Sequence, residues 1–240
     1  MSAGIVGILA VMAVLAVVIE PSVPAAPTPA AGAPPSGTDG SNPATTAEAA
    51  GSGGARAGTD PCPSLTDTAQ DIPTTQPPNL IWEVYRGVAL PVSKVAGPAL
   101  ADSGTVRCYA QTPTGALIAA AQASERYDRV ASPTLAATTM LADGPGRDAF
   151  VLRARASKIP VTSETENADT PQFVAFRMTA YSSQSASVEL VRLREMTGAM
   201  DSTAWTVVWQ DGWRLQLPTD GSRPSARPVQ SLTGYVQWLP

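Results

Sequence analysis

The stretch TAWTVVWQDGWRLQL, residues 203–217, decides how the folded part of this chain is built. Two runs of alternating apolar and polar residues flank Gln210-Asp211-Gly212, which is the pattern of a β-hairpin. A two-residue Asp-Gly turn would pair Gln210 with Trp213 and Trp209 with Arg214, mixing apolar and polar groups on each face. A three-residue loop behaves differently. As a type I turn closing on Gly212 in the left-handed region as a bulge, it sets Trp209 opposite Trp213, Val207 opposite Leu215 and Trp205 opposite Leu217. One face then holds Trp205, Val207, Trp209, Trp213, Leu215 and Leu217, and the other takes Thr206, Val208, Arg214 and Gln216. A one-residue slip would turn every side chain over, so burial selects the three-residue loop.

Upstream of the hairpin, Phe173–Tyr181 and Ser187–Arg194 read as two more strands around a serine-rich turn at 182–185. Before them come helices. Thr112-Pro113 is a helix-start signature, a hydroxyl to accept an orphan N–H followed by a proline whose missing N–H costs nothing at the first helical position. This helix is expected to reach about Arg129, with Ala116, Ala119, Ala120 and Ala123 as a small-residue face beside Leu117 and Ile118. Ser132-Pro133 repeats the signature for a helix to about Leu141. After a break at Asp143-Gly144-Pro145-Gly146, a third is expected from Arg147 to Lys158, turning Phe150, Val151 and Leu152 to the core and Arg147, Arg153, Arg155 and Lys158 to water. Leu80–Tyr85, Val88–Val92 and Gly104–Ala110 read as extended, with a turn at Gly97-Pro98.

Helices first and an antiparallel meander afterwards is the α+β order, in which helices cover one face of a curved sheet. The expected globular domain is 80–218. An extended, Pro- and Thr-rich strap precedes it at 62–79, and a C-terminal tail, 219–240, follows. The tail is loop-like over 220–228, and its Tyr235, Val236, Trp238 and Leu239 either pack back on the domain or form an apolar patch.

The other end of the chain has a different character. Residues 3–19 (AGIVGILAVMAVLAVVI) are uncharged. At about 1.5 Å per residue they reach roughly 26 Å, a short transmembrane helix that is long for a signal-peptide core. Residues 1–20 are thus expected to be a membrane anchor or an uncleaved signal helix, with cleavage near Val23-Pro24-Ala25 as the alternative. Residues 21–61 are almost all Pro, Ala, Gly, Ser and Thr and cannot bury enough apolar surface to fold, so they are expected to be a disordered linker. The only positive group ahead of the run is the terminal amine and Glu20 follows it, which mildly favours a cytoplasmic N-terminus with the rest exported.

Composition narrows the function classes. The chain has a net charge of −4 and no concentrated basic stretch, so direct nucleic-acid binding is not expected. Its two cysteines, Cys62 and Cys108, are an even pair in an exported chain and so are expected to form a disulfide, with a loop closure contributing roughly 3–4 kcal/mol.

There is no histidine in the sequence, which removes the usual general base, the Ser-His and Cys-His nucleophiles and most zinc sites. No catalytic residue, cofactor or metal ligand is expected. Glu125, Asp128, Asp143 and Asp148 read as carboxylates spread over helix surfaces and a turn, and Glu164 and Glu166 as loop residues. Gly144-Pro145-Gly146-Arg147 lacks the Gly-Lys-Ser/Thr ending of a phosphate loop. The apolar set Trp205, Val207, Trp209, Trp213 and Leu215, with Leu117 facing it, reads either as a core under the helices or as the lining of a cavity between sheet and long helix.

Several motifs together carry a family likeness. Gly87-Val88-Ala89-Leu90-Pro91-Val92-Ser93, Gly97-Pro98, Val106-Arg107-Cys108-Tyr109-Ala110-Gln111-Thr112-Pro113-Thr114-Gly115-Ala116-Leu117, Gly146-Arg147-Asp148-Ala149 and Trp209-Gln210-Asp211-Gly212-Trp213-Arg214-Leu215 resemble a family of uncharacterised actinobacterial proteins. These have an N-terminal membrane segment and a proline-rich spacer, and lie in or near conjugative elements. The resemblance covers about residues 62–218. The helix-then-sheet order is also similar to the periplasmic domains of type IV secretion assembly factors of the VirB-eight and TcpC kind, which implies a nuclear-transport-factor-two-like cone of helices against a curved sheet.

The resulting expectation is a membrane-tethered, extracytoplasmic, non-enzymatic scaffold of a conjugation (type IV secretion-like) or envelope-transport apparatus. Its partners would be other envelope or secretion-channel proteins, the membrane through residues 3–19, and a second copy if it self-assembles. The alternative is a secreted module that binds a small apolar molecule between the long helix and the sheet.

Overall fold

The computed structural model describes residues 61–157 and 169–240. The expected anchor, the linker up to residue 60, and Lys158, Glu164 and Glu166 lie outside the described residues. What is described is α+β, with three helices and mostly antiparallel strands.

Two tight hairpins come first. β1 (Ile81–Tyr85) pairs with β2 (Val88–Val92), and β3 (Leu100–Asp102) with β4 (Thr105–Arg107). Their two-residue loops, Arg86-Gly87 and Ser103-Gly104, have positive φ at both positions (48° and 79°; 49° and 84°). That is the type I′ geometry, whose twist matches that of the flanking strands. β3 was not expected, because three residues are too few to show a period. The turn expected at Gly97-Pro98 contains a cis peptide bond.

α1 (Pro113–Arg126) starts where the sequence places it. Thr112 is extended, its hydroxyl accepts the Gly115 N–H at 3.1 Å, and Pro113 occupies the first turn. The helix stops three residues short of Arg129, and all its residues except Thr114 are buried. It therefore does more than cover a sheet. It packs on β6 (Ser185–Leu193), β7 (Met200–Trp209) and β8 (Trp213–Gln216) on one side and on β2 and β4 on the other. Complete burial of Leu117 and Ile118 contributes about 1.5–3 kcal/mol each. α2 (Pro133–Met140) is capped by Ser132 in the same way.

α3 (Pro145–Ala156) begins two residues earlier than expected, with Pro145 in its first turn. Phe150 is buried and Val151 partly so, but Leu152 is 68 % exposed, contrary to the expected core contact. The helix lies on the rim and buries a narrow stripe, which Leu152 misses.

The large sheet runs β10-β5-β6-β7-β8, with β9 also on β7. β5 is Gln172–Tyr181, β6 Ser185–Leu193, β7 Met200–Trp209, β8 Trp213–Gln216, β9 Arg227–Val229 and β10 Val236–Gln237. The hairpin register is Trp209↔Trp213, Val207↔Leu215, Val208↔Arg214 and Thr206↔Gln216, as a three-residue loop requires. The turn differs in one detail. Asp211 as well as Gly212 has positive φ (54° and 137°), so the left-handed stretch begins one residue before the glycine. Aspartate tolerates that region.

β8's other edge is met by the chain leaving α2: Leu141 bridges Leu215 in parallel, and Ala142 N donates to Leu215 O at 2.9 Å. The tail is less loop-like than expected. β9 includes Arg227 and Pro228, and between β9 and β10 the chain lays Leu232 and Tyr235 against Val174, Ala175 and Val191 on the face away from α1. Trp238 then enters the main core at 0 % exposure. Among the described residues, no helix is long and apolar enough to cross a membrane.

Candidate functional site

Alternation along β6 and β7 sends Ala186, Val188, Leu190, Trp205 and Val207 toward α1. The six residues read as core or cavity lining stand there together: Leu117, Trp205, Val207, Trp213 and Leu215 are buried in one cluster, and Trp209 packs on it half-exposed. The Trp213 indole N–H donates to Ala110 O at 2.9 Å, tying β8 to the chain that enters α1. Trp209 meets Trp213 edge-on at 5.3 Å, and Tyr181 closes the group at 6.1 Å.

The last turn of α1 carries a polar constellation that sequence reasoning missed. Glu125, expected on a helix surface, is 2 % exposed, because α1 is enclosed on all sides. Three guanidiniums converge on it: Arg192 on β6 at 3.1 Å and Arg223 at 3.5 Å reach Oε1, and Arg129 reaches Oε2 at 3.3 Å. Arg192 also pairs with Asp201 at 3.3 Å, and Arg223 with Asp128 at 3.7 Å. Arg223 further donates to Ser124 O and lies 5.3 Å over the Trp205 ring. Three carboxylates thus face three guanidiniums, the balance that buried charges need.

Both Glu125 oxygens are already engaged, so the geometry describes a structural tie between helix and sheet. A signal was available. The helix has small or apolar residues on every side, which means burial all round and hence a partner for any charge on it. Beside this cluster, burial pushes the Tyr127 hydroxyl up to about 12, with Asp128 adding to the effect.

Arg126, one residue on, is a buried cation. It donates to Gln122 Oε1 at 2.7 Å and to Gly104 O at 3.2 Å, and its guanidinium sits 4.0 Å from the Tyr85 ring centroid. Burial lowers its pKa. The same burial raises that of Tyr109.

On the opposite face of the sheet Glu189 accepts from Arg177 at 2.7 Å, Arg227 at 3.0 Å and the Tyr235 hydroxyl at 2.8 Å. Desolvation would raise this carboxyl, but the Tyr235 and Arg177 hydrogen bonds and the charges of Arg177 and Arg227 outweigh it and hold it below its usual range.

Two of the three basic residues of α3 are engaged within the domain. Arg147 pairs with Asp143 and Asp148, and Arg153 donates to the backbone oxygens of Asp220 and Gly221. Among the described residues no cluster of His, Cys, Asp and Glu is placed to hold a metal ion.

Cys62 and Cys108 form a disulfide, with Cα atoms 5.4 Å apart. It fixes the first residues of the strap to the buried segment between β4 and α1. Beyond it Asp67 N donates to Val95 O at 3.1 Å, and the Asp67 carboxylate accepts the hydroxyl of Thr112, the α1 cap, at 2.6 Å. Gln70 bonds Gln111 O and the Tyr181 hydroxyl, and Gln76 holds Leu239. The strap therefore touches the start of the long helix, the aromatic end of the sheet and the C-terminal tail in turn.

No curated protein and no solved structure matches this chain. A family described as a domain of unknown function, DUF8175, has a model that matches residues 23–237. That span takes in the strap, both hairpins, all three helices, the large sheet and Val236 and Gln237 of the tail, and the chain belongs to this family.

Proposed function

We propose that the protein is a membrane-tethered, extracytoplasmic scaffold without catalytic activity, working in a conjugation (type IV secretion-like) or envelope-transport apparatus. Residues 1–20 serve as the anchor, 21–61 as the spacer, 62–79 as the strap, 80–218 as the working domain, and 219–240 as a tail that packs on it. Partners are other proteins of the envelope or the secretion channel. The observation that carries the reading is the Cys62–Cys108 disulfide behind an uncharged 3–19 run, since such bonds persist in oxidising compartments. Polar clusters whose charges are consumed by internal pairing also favour a structural role over chemistry.

The finer family reading belongs here as well. We infer kinship with the actinobacterial proteins of conjugative elements, and a nuclear-transport-factor-two-like cone of the VirB-eight and TcpC kind. Support comes from a long helix laid on an antiparallel sheet whose β5 carries two register shifts, a device that bends strands.

The test is fractionation with thiol labelling in the native host. The full chain should pellet with membranes, be cut by protease added outside the cytoplasmic membrane, and resist alkylation until reduced. Recovery in the cytosol with both thiols free would discard the reading. Crosslinking in intact cells should then capture another envelope protein, and loss of the gene should lower transfer; unchanged transfer would discard the conjugation assignment.

A further inference from the structure

The strap is weakly built for a segment that receives the tether. Between Cys62 and β1 it has no regular secondary structure and is largely exposed, and it is fixed by hydrogen bonds at Asp67, Gln70 and Gln76, by the partly buried Leu65 and Leu80 and by the buried Pro77. Hydrogen bonds in such a row break one after another when the chain is pulled from one end. Each then bears the whole load alone.

The disulfide sits at the head of that row. Its far end, Cys108, is 5 % exposed and stands in a connection held at several points: Cys108 O accepts from Ala99 N, Ala110 N donates to Ala96 O, Ala110 O accepts from Trp213, and Thr112 caps α1. A pull arriving at residue 61 therefore passes through the sulfur bridge into the middle of the core and leaves residues 63–79 slack.

We propose that Cys62–Cys108 is a load-bearing clamp that diverts tension on the N-terminal tether away from the strap, and so keeps the strap seated together with its Gln76 contact to Leu239 at the end of the tail. The tail is included because the last strap contact is with it. Gln76 Oε1 accepts from Leu239 N at 3.1 Å and Gln76 Nε2 donates to Leu239 O at 3.5 Å, next to Trp238. Once reduction opens the clamp, the same pull peels the strap in the order Asp67, Gln70, Gln76 and then loosens the hold on the tail. The conformational device is a tether whose grip depends on thiol redox state. This inference rests on the tethered reading above.

The test is single-molecule stretching of the full chain in a detergent micelle. One handle is placed at the N-terminus and the other on a click-reactive residue replacing Met196, which is exposed on the β6–β7 turn. Oxidised molecules should show no extension between stretching of the leader and global unfolding. Adding reductant to the same molecules should create a separate low-force step. Its size is set by about 18 released residues, up to roughly 6 nm at 3.3–3.6 Å each. Identical traces before and after reduction, or one global event only, would overturn the clamp.

Hydrogen exchange supplies a second readout without force. Cys62→Ser should speed exchange tenfold or more at the Asp67 amide, which donates to Val95 O, and at the Leu239 amide, which donates to Gln76, while 116–123 stays protected. Loss of protection spread through α1 would show a general stabiliser instead and overturn the proposal. Failure of the tethered reading is told apart by fractionation: a soluble chain with the expected force step retains the clamp and discards the anchor.

Discussion

Arg192, on the middle strand of the sheet, bridges Glu125 on α1 (3.1 Å) and Asp201 on β7 (3.3 Å), so one guanidinium ties the helix to two neighbouring strands. The Glu125 carboxylate is the centre of this arrangement, since Arg129 and Arg223 close on it as well. Glu125→Ala would leave three partly buried guanidiniums converging on an emptied site with only Asp201 and Asp128 to balance them. Removing one partner of a buried pair costs about 3–5 kcal/mol. Urea unfolding should show that loss for Glu125→Ala and a smaller one for Glu125→Gln, which keeps hydrogen-bond acceptance. Equal stability of wild type and Glu125→Ala would mean that these pairs do not form.

Thr112 has two roles at one hydroxyl, accepting from Gly115 N and donating to Asp67. Thr112→Ala therefore removes a helix cap and a strap contact together, for about 1–2 kcal/mol. Thr112→Ser should recover most of it. Asp67→Ala should leave the cap alone and mainly loosen the strap, which hydrogen exchange over 63–79 would separate from α1.

Gly115 is in the first turn of α1, where helix propensity alone favours alanine by about 1 kcal/mol. Sterics oppose it, because a Cβ there would overlap the Ala110 carbonyl oxygen. That oxygen is fixed by the Trp213 indole, so it has little room to retreat. We expect Gly115→Ala to lose about 1–3 kcal/mol net, as overpacked sites do. A rise in the urea midpoint would show that the chain entering α1 shifts freely.

These three sites show what was legible. The caps at Thr112 and Ser132 could be read because a hydroxyl before proline is a local rule, and the hairpin register because turn length and burial pattern had to agree. Glu125 could not be placed by local rules, since its partners Arg192 and Arg223 lie 67 and 98 residues away. β3, β9 and β10 are two or three residues long, too short for a period, and are set by the strands they meet. Leu152 was misassigned because α3 buries a narrower stripe than its apolar run suggests.

Glu189 gives the acid response a sign. Its folded pKa is depressed, mainly by Tyr235 and Arg177 working against desolvation, so its contribution is fully present above the unfolded value of about 4.3 and is lost as pH falls through the folded value. Glu189→Gln should flatten the acid limb of stability below about pH 4.5 and leave the neutral-to-alkaline limb unchanged. Parallel acid limbs for the two proteins would remove Glu189 from the account.

Trp238 stands third from the end of the chain yet is fully buried, and its ring lies 5.0 Å from Phe176, 5.6 Å from Trp82 and 6.4 Å from Phe173. The segment before it adds two ladder pairs in β10, a bond from Trp238 N to Val174 O, the Tyr235 hydroxyl on Glu189, and Leu232 and Tyr235 packed on the far face of the sheet, but no other fully buried side chain. The ring is thus the main anchor of the tail. Trp238→Ala should cost about 3–5 kcal/mol, the range for emptying a large aromatic site. Trp238→Phe should cost less despite the smaller ring, because the buried indole N–H has no hydrogen-bond acceptor among the described residues and phenylalanine removes that liability. Thermal melts of the three proteins decide the point. If Phe is as damaging as Ala, shape rather than apolar burial holds the tail. If neither change lowers Tm, the tail does not contribute to the core.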